Sequence, residues 1–462
     1  GSVKSTGYHA FDGCTSLKNV VLEDGVKQID SASFFECKSL TDITIPNSVT
    51  SIDSEAFSGC YGLSEISIPE SVTEFGSSVF TGTPWLKRQQ EEDAFVTVNG
   101  VLIDTSQCSG EEITIPDKVS VIGLGSFSGN KNLTRINIPD SVTQIHNYAF
   151  ENCESLNNIN MGKGVTQIGD LAFYQCNSLK SITIPGSVKR IGEGAFQSCE
   201  SLESVNMETG VKEIGKYAFY ECTNLKDIQF PESIIEIGAS SFDYTSWIEN
   251  QKQSNDFVIV NGILIEVGKY KCTDGHLIIP ANVTSIGYGV FKNCEEITSV
   301  TIPNGVISIK ASAFRDCKNL KDISIPESVK TIGAMAFDDT LWLEEKAKQE
   351  DFVIVNNILI KEGKANLTDG HLTIPNGITE IADDALSYWS ELSSVTIPGS
   401  VKRIGVGAFE KCKNLEKVII EDGVTQIGDY AFAYCKVREK DVSIPDSVTE
   451  MGEYVFAEDD WW

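Results

Sequence analysis

A step of 23 residues runs through this chain and constrains its fold more than any other feature. It separates Phe11, Phe34, Phe57 and Phe80, and again Phe127, Phe150, Phe173, Phe196, Phe219 and Phe242. Cys14, Cys37 and Cys60 keep the same step, as do Cys153, Cys176, Cys199 and Cys222. Self-similarity at such a period marks supersecondary units that cannot bury an apolar face alone and bury it by stacking. Counted at the Phe position there are seventeen coils, sixteen with Phe and one with Leu386, and the residue before each is Ala, Ser or Val. A small residue there leaves space for the ring, whose burial is worth roughly 1.5 to 3 kcal/mol per coil. A stack of this kind grows by adding coils, so 462 residues need not be divided at the usual domain size.

One coil can be read from residues 39–60, SLTDITIPNSVTSIDSEAFSGC. The run Leu40-x-x-Ile43-x-Ile45 predicts a short strand with Ile43 and Ile45 inward and Asp42 and Thr44 outward. Pro46 lacks a backbone donor and ends it, and twelve of the thirteen prolines hold this position. Val49 and Ile52 return to the core, and a turn follows. Twelve coils place Gly after that Ile, with Asp30, Asp53 and His146 among the exceptions. These residue types predict a left-handed backbone there. The Ala-Phe-x-x-Cys stretch predicts a short helical turn back to the next strand.

The consensus L-x-x-I-x-I-P-x-S-V-x-x-I-G-x-x-A-F-x-x-C resembles the BspA-like, Treponema-type leucine-rich repeats of bacterial surface proteins, over nearly the whole chain. The resemblance implies a leucine-rich repeat solenoid, a right-handed β/α superhelix rich in β structure. It also implies a secreted or surface-exposed bacterial protein that adheres to an extracellular partner, such as the matrix proteins fibronectin and fibrinogen. A structural spacer that displays another domain is the alternative.

Three inserts break the period. After Thr83 comes PWLKRQQEEDAFVTVNGVLI, after Thr245 SWIENQKQSNDFVIVNGILI, and after Thr340 LWLEEKAKQEDFVIVNNILI. Each opens with a Trp (Trp85, Trp247, Trp342) five residues past the Phe position, continues as a polar helix, and ends in two β runs around Asn-Gly or Asn-Asn. That dipeptide between β runs is a strong hairpin signal. Proline spacing across the breaks is 47, 49 and 49 residues against 46 for two plain repeats, so each insert replaces about one coil. The expected organisation is coils over 1–82, an insert over 83–112, coils over 113–244, an insert over 245–276, coils over 277–339, an insert over 340–371 and coils over 372–462, all in one continuous solenoid. Gly1-Ser2 reads as a cloning remnant, Val3 enters mid-coil, and Trp461 has the insert spacing from Phe456. The chain is therefore expected to be a trimmed piece of a longer one, without its signal peptide.

Net charge is −29, from 66 acidic and 37 basic side chains. This disfavours nucleic acid and anionic membrane surfaces as partners. No run of 18 apolar residues exists to span a membrane. Eleven of the thirteen cysteines share one position, three residues after the Phe, where stacked side chains point the same way too far apart for a disulfide. They read as buried, reduced thiols acting as small hydrophobes, and so do Cys108 and Cys272.

No catalytic constellation is present. The chain holds no H-E-x-x-H, no C-x-x-C, no G-x-S-x-G and no phosphate-binding loop, and its acidic clusters lack calcium-loop spacing. No catalytic residue, metal or cofactor is assigned. His276 and His371 share an outward strand position and read as solvent-facing residues. The outward strand positions should form the concave surface, and they are small and polar, without the aromatic anchors in which interfaces concentrate energy. The candidate protein-binding residues are therefore Trp85, Lys87, Arg88, Trp247 and Trp342 in the inserts, and Asp42, Glu65 and Asp227 on the strands.

Overall fold

The structure, a computed structural model, describes residues 3–269, 274–364, 367 and 369–457. Each coil lays down three layers, and each layer pairs with its copy in the next coil. The first is the expected strand. Arg135–Ile138 runs parallel to Asn158–Met161 with Arg135 opposite Asn158, one repeat apart. Ser181–Ile184 and Ser204–Met207 do the same. Around Glu65 the chain forms no paired strand.

The second layer is a two-residue strand that the sequence reading treated only as a return to the core. Gln144–Ile145, Gln167–Ile168, Arg190–Ile191 and Glu213–Ile214 pair in parallel. Ile145, Ile168, Ile191 and Ile214 lie opposite one another at 1% exposure or less.

The third layer carries the rings, and here two expectations are corrected. The Ala-Phe-x-x-Cys stretch is not a helical turn. Alternate amides leave the coil: Tyr148, Phe150 and Asn152 donate to the carbonyls of Asp170, Ala172 and Tyr174 in the next one. Intervening amides close short turns within the coil, Glu151 to Tyr148 and Cys153 to Phe150. A helix cannot present N–H groups sideways, so this arrangement needs positive φ at Tyr148 and Asn152, and at Leu171 and Gln175 in the next coil. The strain of such residues, about 1–2 kcal/mol each, is offset by a continuous ladder between coils.

The left-handed position therefore lies two residues beyond the repeat Gly. Within the Gly position itself only Gly7 has positive φ. The reason for glycine is close approach: a Cβ on Gly192 would sit 2.4 Å from the carbonyl carbon of Gly169, and one on Gly215 2.6 Å from that of Gly192.

The rings form columns. Phe127, Phe150, Phe173 and Phe196 stack at 5.0, 5.0 and 5.1 Å between centroids, with planes within 9°. The cysteine column is hydrogen-bonded as well as largely buried, since nine of its thiols donate to the carbonyl of the Phe position one coil back. Cys153 reaches Phe127 at 3.2 Å, Cys222 reaches Phe196 at 3.0 Å and Cys317 reaches Phe291 at 2.9 Å. Among the described residues every cysteine is a free thiol, Cys14 exposed and Cys108, Cys294 and Cys435 half-buried. Cys272 lies outside the described residues.

Among the described residues the coils carry no α-helix, and the three α-helices belong to the inserts. They are α1 (Pro84–Glu92), α2 (Ser246–Ser254) and α3 (Leu341–Gln349). Each starts where Thr replaces the repeat Cys. Thr83 donates to the Phe80 carbonyl at 2.7 Å, as a Cys would to its own acceptor, and also accepts from Leu86 N at 3.1 Å, which caps α1. Thr245 and Thr340 cap α2 and α3 in the same way.

The hairpins follow, with φ of 50° and 81° at Asn99-Gly100, 48° and 81° at Asn261-Gly262, and 51° and 65° at Asn356-Asn357. These are the paired positive values of a type I′ turn. The outgoing strands, Val101–Asp104, Ile263–Val267 and Ile358–Glu362, then enter the second layer in place of a coil strand.

The chain forms two compact units, Gly1–Gln251 and Lys252–Trp462. Each is a β-solenoid of the same coil. In such a stack each coil touches its neighbours alone, so compactness is a local property.

Candidate protein-interaction surface

The insert tryptophans are packing residues. Trp85, Trp247 and Trp342 are 8%, 9% and 8% exposed. Their rings lie 4.5 Å from Phe80, 5.2 Å from Phe242 and 5.0 Å from Phe337. Each ends a column of stacked rings by turning across it, and none offers a surface to a partner. What α1 exposes is Pro84, the basic candidates Lys87 and Arg88, and the acidic pair Glu91 and Glu92. Arg88 donates to the Ser64 carbonyl at 2.6 Å, and its guanidinium lies 3.9 Å from the Glu65 carboxylate. The fold thus joins two candidates drawn from different parts of the chain, Arg88 of the insert and Glu65 of the coil before it. Asp42 and Asp227 are exposed on first-layer strands of separate coils and are not brought together. Trp461 lies outside the described residues.

Among the described residues the outward face of the first layer is polar, with three exposed apolar side chains on it: Val21, Ile278 and Ile419. His276 and His371 lie on this face. His276 Nδ1 is 2.7 Å from Ser299 Oγ, and His371 Nδ1 is 2.8 Å from Ser394 Oγ. The same pairing in two places, between one coil and the next, is a strand-to-strand contact. Among the described residues no three His, Cys, Asp or Glu side chains converge as a metal site, and no helix is long and apolar enough to cross a membrane.

A cavity of about 530 Å³ opens beside the first insert, lined by Ser77, Thr81, Asp104, Ser106, Cys108 and Phe127 among others. It arises because the insert supplies a second-layer strand but no ring layer between Phe80 and Phe127. Burial pushes the Cys108 thiol up to about 11, and the thiol donates to the Ala94 carbonyl. It is a poor nucleophile in that state.

Aromatic side chains missed by the sequence reading stand on the ring layer's outer side. Tyr148, Tyr244, Tyr388, Tyr430 and Tyr454 are exposed, and Tyr217, Tyr220 and Tyr434 are half-buried. They occupy three neighbouring positions, two before, one after and two after the repeat Phe. No single position is consistently Tyr, which is why no period revealed them.

The family profile of the BspA-type leucine-rich repeat region matches residues 1–98, 105–208, 144–262, 270–358 and 363–460. No curated protein matches the sequence. Among solved structures, a leucine-rich repeat protein from Bacteroides ovatus is 23% identical, with 97% of this chain and 78% of that chain covered and a TM-score of 0.23. A leucine-rich cell surface protein from Faecalibacterium prausnitzii is 22% identical over 88% of each chain, with a TM-score of 0.28. The pneumococcal vaccine antigen PcpA is 20% identical over 77% of this chain and 87% of that one, with a TM-score of 0.32. With its profile matched along most of the sequence and its coil observed in both units, the chain belongs to the BspA-type leucine-rich repeat family.

Proposed function

We propose that this protein is a non-catalytic adhesin, secreted or displayed on a bacterial surface, that binds an extracellular protein of a host or neighbouring cell. One observation carries the reading. Most of the repeat's large apolar residues are buried against neighbouring coils, while the outward positions of the first-layer strands repeat small polar and charged side chains, with Val21, Ile278 and Ile419 as the apolar exceptions. A built catalytic site would need convergent groups in one place, whereas a binding surface can be distributed. Membership of a leucine-rich repeat family, a scaffold for protein–protein interaction, supports the same conclusion.

The candidate contact is the exposed part of the inserts, Lys87 and Arg88 first, with Glu65 beside them. The test offers immobilised fibronectin and fibrinogen to the purified chain and measures saturable binding by surface plasmon resonance. Deleting the first insert and rejoining its flanking coils in register is expected to weaken binding while the circular dichroism of the solenoid persists. Full affinity after each insert deletion, with loss on Asp42→Lys, Glu65→Lys or Asp227→Lys, moves the contact to the strand face. Absence of binding to any matrix protein overturns the adhesin reading.

A further inference from the structure

Three tyrosines form a group on the ring layer of the first unit. The Tyr217 and Tyr220 centroids are 5.3 Å apart with planes at 83°, and those of Tyr220 and Tyr244 are 5.2 Å apart at 84°. Successive rings therefore stand almost perpendicular, as walls meeting at corners. Tyr244 keeps 63% of its surface open to solvent. Partial desolvation raises the Tyr220 phenol above its ordinary value, and Tyr244 with the carboxylates Glu221 and Asp243 adds to the rise. The tyrosine group is therefore flanked by negative charge.

The molecule already uses such rings to hold ammonium groups. Lys216 lies 4.8 Å over Tyr217 while reaching Glu193 at 3.9 Å. In the second unit Lys411 sits between two coils' tyrosines, 5.1 Å from the Tyr388 ring and 5.3 Å from the Tyr434 ring, with Glu410 at 2.7 Å. An aromatic face plus a nearby carboxylate is a cation receptor, because the ring's negative quadrupole and the carboxylate act in the same sense. Among the described residues no lysine or arginine lies over Tyr220 or Tyr244.

The geometry points to Tyr220 and Tyr244, with Glu221 and Asp243 beside them and Tyr217, already covered by Lys216, as a supporting wall, as a binding site for a lysine- or arginine-rich segment of a partner protein. This rests on the reading of the chain as a protein-binding scaffold and gives that partner a chemistry. The net charge of −29 favours the same partner, since it draws basic segments toward the surface and repels acidic ones. The rings and their carboxylates then select where such a segment docks.

The test titrates the purified chain into a fluorescent oligo-arginine peptide and follows anisotropy at two salt concentrations. The wild type is expected to bind saturably. The double variant Tyr220→Ala/Tyr244→Ala should lose about tenfold in affinity, with unchanged circular dichroism because these rings lie outside the core. Tyr220→Phe/Tyr244→Phe keeps the ring faces and should bind within about twofold of wild type. Wild-type affinity in the Ala variant overturns the proposal, since the peptide is then held by net charge alone. So does failure of the wild type to bind the peptide, or binding of a neutral oligosaccharide at these tyrosines in its place. Peptide binding that depends on the rings, in a chain that ignores matrix proteins, fails the adhesin reading and leaves this one standing.

Discussion

Phe173 lies between Phe150 and Phe196 at 5.0 and 5.1 Å, fully buried. Truncating it removes two stacking contacts and opens a cavity in a stack that cannot collapse without shortening its ladders. Phe173→Ala is expected to cost about 3–5 kcal/mol, measured by denaturant unfolding. The thiols beside the rings set a pH limit. Burial pushes Cys60, Cys153 and Cys317 from an ordinary value of 9.0 to about 12. A thiol whose pKa is higher folded than unfolded stays neutral in both states below pH 9, so its contribution is intact there. Above that the unfolded chain ionises first, and stability is lost progressively toward pH 12. Melting temperature should therefore fall steeply above about pH 9. The fall should shrink in Cys60→Ala/Cys153→Ala, and in the native chain exposed Cys14 should react with a thiol reagent before the buried thiols. The ring and thiol positions were legible because periodicity reports burial directly. The role of the repeat Gly was not, because positive φ and close approach select the same residue, and only the neighbouring coil shows which applies at Gly192.

The inserts were legible for a different reason. Trp, Thr and Asn-Gly each carry a local instruction: a large ring to end a column, a hydroxyl to cap a helix, a dipeptide to reverse a strand. The structure adds what joins them to the coil before. Asn99 Nδ2 donates to the Pro69 and Val72 carbonyls at 2.7 and 2.9 Å, and Asn356 Nδ2 to Pro326 and Val329 at 2.8 and 3.1 Å. In an ordinary coil the Val carbonyl accepts from a Ser hydroxyl of the next one, as Val49 does from Ser71 Oγ at 2.7 Å, so the Asn side chain stands where that Ser would. Asn356→Gly keeps the turn's φ but removes both bonds, so it should loosen the third hairpin by about 1–3 kcal/mol, read from hydrogen exchange at Ile354 and Leu359. Thr340→Cys restores the residue of an ordinary coil and loses the cap of α3, at about 1 kcal/mol. The two-residue second-layer strands were not legible, since an x-Ile pair has no period of its own. The tyrosine group was invisible for a related cause: it is assembled from three positions in two coils, each occupied by Tyr in only some repeats.

At the scale of the whole chain, the second-layer ladder is not continuous. Its hydrogen-bonded runs cover Gln28–Phe75, Val96–Ile237, Phe257–Ile332 and Phe352–Met451. Within the first unit the break falls at the first insert and within the second unit at the third, where the hairpin pairs with the coil after it and, among the described residues, not with the strand before it. Stability in a linear array is a sum of coil terms and nearest-neighbour interface terms, so a weak interface is where cooperativity should fail. Native-state hydrogen exchange is therefore expected to resolve separate blocks on the two sides of the first insert, and on the two sides of the third. Phe173→Ala provides the perturbation: amides of residues 96–237 should exchange faster, while those of residues 28–75 keep their protection. The converse substitution, Phe57→Ala, should expose residues 28–75 and spare Val121–Ile122 and Gln144–Ile145. If either variant accelerates exchange equally on both sides of the first insert, the side-chain bonds of Asn99 and the packing of Trp85 couple the coils as strongly as a backbone ladder does. The inserts would then be replacements for a coil and not joints between blocks.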